Sequence, residues 1–206
     1  MKILMVNGGP HPNGCTARAL QEMETFFRAA GIETETMCIG REDIRGCVGC
    51  GGCGKTGRCV FGGVVNDFLD KAETADGFVF GSPVHFASLS GAMTSFMDRV
   101  WFAGSDSLAG KPAACLVSAR RAGTTAALDQ LLKYPMFNNM PIVPTRYWPM
   151  VHGFTAADVE QDLEGLQIMR ELARNMVWML RAFAAAKDAG VPLPEREAPV
   201  LTNFVR

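Results

Sequence analysis

Apolar positions along this chain follow two alternating rhythms: short unbroken runs, and stripes that recur every three or four residues. The first run, residues 3–6, reads Ile, Leu, Met, Val and predicts a buried strand. It ends in a loop rich in Gly, Pro and Asn. Helical spacing follows, with Leu20, Met23, Phe26, Phe27 and Ala30 on one face and Gly31 as the stop. Residues 32–37 alternate and predict a second strand. A helix at 64–73 turns Val65, Phe68, Leu69 and Ala72 inward, and the strand at 77–81 is apolar throughout. Residues 92–102 predict a helix with Met93, Phe96, Met97 and Val100 inward. A strand at 113–118 and a helix through Leu128, Leu131 and Leu132 come next. The last strand is expected at 141–145, at an edge because it carries two prolines. The longest helix is expected to begin after Thr155, with Asp158 as capping partner, and to reach Lys187. Its stripe of Leu163, Leu166, Met169, Leu172, Met176, Leu180 and Phe183 reads as core or subunit interface.

Strands alternating with helices in this way predict an α/β fold. The expected form is a doubly wound five-stranded parallel sheet with helices on both faces and right-handed crossovers. The 206 residues suit one domain, placed at 1–190, with a cysteine-rich loop at 46–60 and an extended arm at 191–206. In such sheets the ligand lies beyond the C-terminal strand ends. Three loops reach that edge: 8–16, 82–90 and 118–123.

The first loop joins a strand to a helix through Gly8, Gly9 and Gly14. Unpaired N–H groups and the positive macrodipole end make such a helix start an anion site, and Thr16 adds a hydroxyl. The plainer reading is a strand-to-helix turn. Neither G-x-G-x-x-G nor G-x-x-x-x-G-K-[ST] is present. The loop resembles the G-S-P-R-x-x-G-N-T loop of flavodoxin-like NAD(P)H-dependent FMN reductases. Gly8, Pro10, Gly14 and Thr16 match, while Gly9, His11 and Cys15 replace Ser, Arg and Asn. The second loop, Gly81, Ser82, Pro83, Val84, His85, Phe86 and onward to Ser90, resembles the family's G-[ST]-P-[VI]-Y-[WF] segment, and Phe96 to Arg99 its F-x-D-R. The resemblance implies a flavodoxin-like fold and an FMN cofactor. It places FMN against Gly9, His11, Asn13, Cys15, Thr16 and Ala17 in the first loop, and Pro83, Val84, His85 and Phe86 in the second. Ser118, Arg120, Arg121 and Gly123 in the third loop are the remaining candidates, because N–H groups or an arginine there would stabilise reduced flavin. Phe86 has core packing as its plain alternative, and the arginines an exposed basic loop. Asp98 and Arg99 read as a structural ion pair or helix-end contact. The bulky run at 147–153 reads either as an outer wall of the flavin pocket or as a cap over the core.

Charge narrows the partners. A net charge of −1, with no basic stripe, argues against nucleic acid and anionic membranes. No apolar run is long enough to span a bilayer. The immediate start in a core strand leaves no room for a signal peptide, so the expected location is cytoplasmic.

Seven cysteines without an export signal do not suggest a disulfide framework. Cys47, Cys50, Cys53 and Cys59 spell C-x2-C-x2-C-x5-C among glycines. Closely spaced thiolates suit iron, and glycine frees N–H groups for the sulfur atoms. The spacing resembles the compact motif of the iron–sulfur flavoprotein branch of the same family, which implies a 4Fe–4S cluster. Zinc, a redox disulfide and free thiols stay open. Cys15, Cys38 and Cys115 read as buried small hydrophobes, with Cys15 also near the phosphate. The function expected is an FMN-dependent oxidoreductase with NAD(P)H as substrate and a small-molecule or protein electron acceptor, working as a homodimer or homotetramer. An FMN and iron–sulfur electron carrier without nicotinamide activity, or a cysteine redox sensor, is the alternative.

Overall fold

In a computed structural model describing residues 1–198, 200 and 202, the apolar runs at 3–6, 77–81 and 113–118 lie in neighbouring strands of one sheet. The order is β1 (Lys2–Asn7), α1 (Cys15–Ala29), β2 (Glu33–Cys38), α2 (Cys53–Thr56), α3 (Val64–Thr74) and β3 (Gly77–His85). It continues with β4 (Ser88–Leu89), α4 (Gly91–Gly104), a 3-10 turn (Ser105–Leu108), β5 (Ala113–Ala119), α5 (Thr124–Phe137), β6 (Met150–His152), α6 (Ala156–Val159) and α7 (Leu163–Asp188). The sheet runs β2-β1-β3-β5-β6, all parallel, with β4 hairpinned onto β3. Without β4 this is the flavodoxin strand order, whose switch point lies between β1 and β3.

The central strands read as unbroken apolar runs because successive residues feed opposite cores. Leu4, Val6, Phe78, Phe80, Ala113, Cys115 and Val117 meet α3, α4 and α5. Ile3, Met5, Val79, Ala114 and Leu116 meet α1 and α7. Phe68, Phe78, Phe80 and Phe96 form an aromatic knot in the first core, with Phe68 and Phe96 edge to face at 5.1 Å.

Four expectations need correction. The fifth parallel strand is β6, not 141–145. Residues 141–143 still sit beside β5, where Pro141 O accepts from Ala113 N and Val143 N donates to Ala113 O, both at 2.9 Å. Pro144 and Pro149 then lift the chain away until β6 pairs with Val117–Ala119, so two pieces share one strand's place. The long helix starts at Leu163. Thr155 and Asp158 do form a capping box, but on the one-turn α6, and Asp162 caps α7 through Gly165 N. Cys38 is exposed at the end of an edge strand, whereas Cys115 is buried and Cys15 partly so. The ion-pair alternative for Asp98 and Arg99 does not hold among the described residues: Asp98 accepts from Tyr134 Oη at 2.6 Å, and Arg99 reaches Cys59 and the Gly62 carbonyl just before α3. In the expected arm, Leu193 lies against Gly110 and Arg196 pairs with Asp106 at 3.3 Å. Its residues 199, 201 and 203–206 lie outside the described residues.

Candidate functional site

The three loops at the C-terminal sheet edge enclose a cavity of about 290 Å³. Gly9, His11, Cys15, Thr16, Pro83, Val84, His85, Ser118 and Arg120 line it. Among the candidates, Asn13, Ala17, Phe86, Arg121 and Gly123 do not. Pro10, Gly14, Ala119, Gly153 and Phe154 also line it and were not among the candidates. Gly153 closes the bulky run at 147–153, one reading of which is an outer wall of this pocket, and Phe154 directly follows it; both come just after β6.

Helix α1 points its N-terminus at this cavity. Gly14 caps it without a side-chain hydrogen bond, and the first turn holds no acidic residue. The N–H groups of Cys15, Thr16 and Ala17 belong to the turn that has no intrahelical acceptor. Ala17 N is thus left without an intrahelical acceptor, although Ala17 does not line the cavity. Gly9 N is already spent on Asn7 Oδ1 at 2.9 Å, which folds the loop back on its own strand. A Cβ on Gly9 would meet that same oxygen at 3.0 Å. Gly40, beneath the loop, has no room at all, since a Cβ there would overlap the Gly9 carbonyl. Open amide donors, the macrodipole and the nearby His11 and Arg120 fit a phosphate monoester such as that of FMN.

A buried set of hydroxyls ties the loops to one another. Thr16 Oγ1 and Ser118 Oγ share a hydrogen bond at 2.8 Å, joining the first loop to the third. Ser90 Oγ donates to Gly8 O at 3.0 Å and accepts from Met93 N at 3.2 Å, so one side chain caps α4 and fastens the first loop. Ser90 N in turn donates to Ser82 Oγ at 3.1 Å. The second loop is a β-hairpin. Val84 pairs with Leu89 and His85 with Ser88, and the turn residues Phe86 and Ala87 have φ of 51° and 60°. Phe86 is fully exposed at that tip, neither in the core nor in the cavity. Gly123, at φ 90°, lies against Ala87, where a Cβ would come within 2.7 Å of the Ala87 Cα. Arg120 and Arg121 are both exposed, and only Arg120 borders the cavity. Cys15 Sγ donates to Gly153 O at 3.3 Å, and burial pushes its thiol pKa up. Tyr147 and Trp148 wall a different cavity, with Leu128, Leu132 and Cys115.

A second constellation lies at the end of α4. Cys47, Cys50, Cys53 and Cys59 border one cavity of about 130 Å³, together with Val60, Phe61, Arg99 and Phe102. Cys53 Sγ donates to Phe102 O at 3.1 Å, and Cys59 Sγ accepts from Arg99 Nε at 3.2 Å. Asn66 clasps the Cys59 backbone on both sides, at 2.9 and 3.0 Å. Cys47 and Cys50 are exposed, on a segment turned by Gly49 and Gly51 at φ 64° and 70°. Among the described residues no three of His, Cys, Asp and Glu stand close enough to grip one metal ion. The donor set is all sulfur, with a guanidinium beside it and no carboxylate or imidazole on the wall. That chemistry fits a thiolate-bound iron–sulfur cluster, provided the two exposed thiols turn inward.

A family model described as NADPH-dependent FMN reductase matches residues 1–155. An iron–sulfur flavoprotein of Methanocaldococcus jannaschii is 27% identical over 191 residues, covering 88% of this chain and 98% of the relative. Among solved structures, RosB with bound 8-demethyl-8-formylriboflavin-5'-phosphate superposes with a TM-score of 0.69 at 13% identity, covering 100% of this chain and 92% of that one. An archaeal flavodoxin gives a TM-score of 0.60 at 14% identity, over 88% of this chain and 99% of its own. These two likenesses bear on the fold.

Proposed function

We propose a two-centre redox function from one premise: the chain belongs to the NADPH-dependent FMN reductase family. At the coarser level it is a flavin-dependent oxidoreductase that binds FMN. In the finer reading it oxidises NAD(P)H and passes the electrons to a small-molecule or protein acceptor. Cys47, Cys50, Cys53 and Cys59 would hold a 4Fe–4S cluster, which would supply one-electron chemistry. The protein works in the cytoplasm as a homodimer or homotetramer. Bound FMN supplies hydride acceptance on one side and single-electron donation on the other.

The observation that carries this reading is the uncapped start of α1 facing a cavity closed by all three loops. The backbone amides of Cys15, Thr16 and Ala17 would hold the FMN phosphate. Pro83, Val84 and His85 form the wall of the hairpin side, and Arg120 places positive charge beside the third loop, where reduced flavin is anionic. No side chain in the cavity needs to act as a general base, because hydride transfer depends on positioning. The name of the Methanocaldococcus relative favours the second centre, and equally a second reading, in which the chain is an electron carrier without nicotinamide activity.

Absorption spectra of anaerobically purified protein, with iron and sulfide assays, separate these readings. Flavin bands and an iron–sulfur shoulder that both bleach with NAD(P)H are the expected result. Both chromophores present but inert to NAD(P)H would establish the carrier. Flavin bleaching without iron would leave a simple flavin reductase with free thiols. Failure to bind added FMN would overturn the function altogether.

A further inference from the structure

Arg99 is 5% exposed, yet among the described residues it pairs with no carboxylate. Its sequence neighbour Asp98 is engaged by Tyr134. The guanidinium instead donates through Nε to Cys59 Sγ at 3.2 Å and through Nη2 to Gly62 O at 2.9 Å. The Phe61 ring lies beside it, 5.8 Å from the Arg99 guanidinium carbon and 4.3 Å from that of Arg45. Burying a permanent cation against a carbonyl, a sulfur and a ring is costly unless an anion balances it. A buried arginine aimed at one of four clustered sulfurs thus marks where negative charge belongs.

We propose that Arg99 is the charge-setting residue of the cysteine site: through Cys59 it favours an anionic, thiolate-bound cluster and raises that cluster's reduction potential. The inference rests on the cluster reading above and adds a residue to it. Reduction adds one negative charge to the site. A fixed cation bonded to a ligand sulfur stabilises the reduced form more than the oxidised one. Arg99 acts through Cys59 and is a positioning residue. Its fork matters as well as its charge, because one arm fixes the Gly62 turn while the other meets the sulfur.

The test compares wild type, R99K and R99Q, each loaded with FMN and reconstituted with iron and sulfide without oxygen. Iron and sulfide per chain and the cluster potential, followed by electron paramagnetic resonance, are the readouts. At the wild-type midpoint, R99Q is expected to show a reduced-to-oxidised ratio about tenfold lower, which is about 59 mV for a one-electron couple. R99K keeps the charge and is expected to fall between the two. A cluster with the same potential in all three proteins overturns the inference while leaving the cluster reading intact. Wild-type protein that takes up FMN but no iron or sulfide overturns the cluster reading, and this inference with it. Where R99Q fails to fold, double resonance on reduced wild-type protein labelled with 15N-arginine decides the matter. Coupling to an arginine nitrogen supports the proposal, and its absence overturns it.

Discussion

The two candidate centres are built on opposite plans. Around the first, buried hydroxyls lock three separate loops together: Thr16 to Ser118, Ser90 to Gly8 and Ser82 to Ser90. Around the second, the contacts gather at one end. Cys53 and Cys59 are tied to α3 and α4, whereas no side-chain hydrogen bond holds residues 47–52 among the described ones. The first site is organised before any ligand arrives. The second is half organised, and a ligand bound there would have to finish it. Pre-organised sites spend little of their binding energy on ordering, while half-formed sites convert ligand affinity into structure.

Glycine substitutions sharpen this contrast most strongly. Gly40→Ala drives a methyl into the Gly9 carbonyl and is expected to weaken FMN about a hundredfold, ~2.8 kcal/mol by titration calorimetry. Gly54→Ala, whose Cβ meets nothing within 4 Å, should leave FMN affinity unchanged. Equal losses for both would erase the distinction. Ser90→Ala removes a helix cap and a loop tie together, at a cost of about 1–2 kcal/mol. Differential scanning calorimetry should then find Tm lower by about 2–8 °C.

Acid probes the two sides through their carboxylates. Burial pushes the Glu22 pKa up, but hydrogen bonds from Arg170 and Arg18 prevail and hold it below its ordinary value. A depressed folded-state pKa gives stability that is present above the ordinary carboxylate range and lost as pH falls through the folded value. Glu22→Gln is thus expected to cost ~1 kcal/mol near neutrality and nothing once both forms are protonated, as read from urea midpoints across pH. The exposed Asp70, held low by Arg58, is the matching group behind the cysteine segment. Asp70→Asn should move the midpoint far less, because water already screens that pair. Smallest of all, Cys47→Ser should alter the stability of cluster-free protein by under ~0.5 kcal/mol while lowering its iron uptake on reconstitution.

What the sequence disclosed follows from how local each determinant is. Runs such as 77–81 and the stripe Val65, Phe68, Leu69, Ala72 declare period and burial by themselves, so sheet and helices were legible. The fifth strand was not. Residues 141–143 do touch β5, and only the three-dimensional detour around Pro144 and Pro149 shows that β6 carries the register. For Phe86 the sequence offers an FMN contact or core packing, whereas a two-residue hairpin turn with positive φ places its side chain outside both core and cavity. Arg99 could be seen only as part of a family segment. Its missing carboxylate is a fact of packing, as is the crowding of Gly40 against a loop thirty-odd residues away.

The divided edge beside β5 has a consequence for the protein in bulk. An open sheet border invites a neighbour's strand, and crowded chains then grow into aggregates. Here one border is broken by Pro141, Pro144 and Pro149, so no second molecule finds a continuous ladder to extend. The other, β2, carries Glu33 and Glu35 drawn toward Lys2, so a chain approaching it must first displace or desolvate charge. Neither flank offers a template, and the sheet ends where the molecule does.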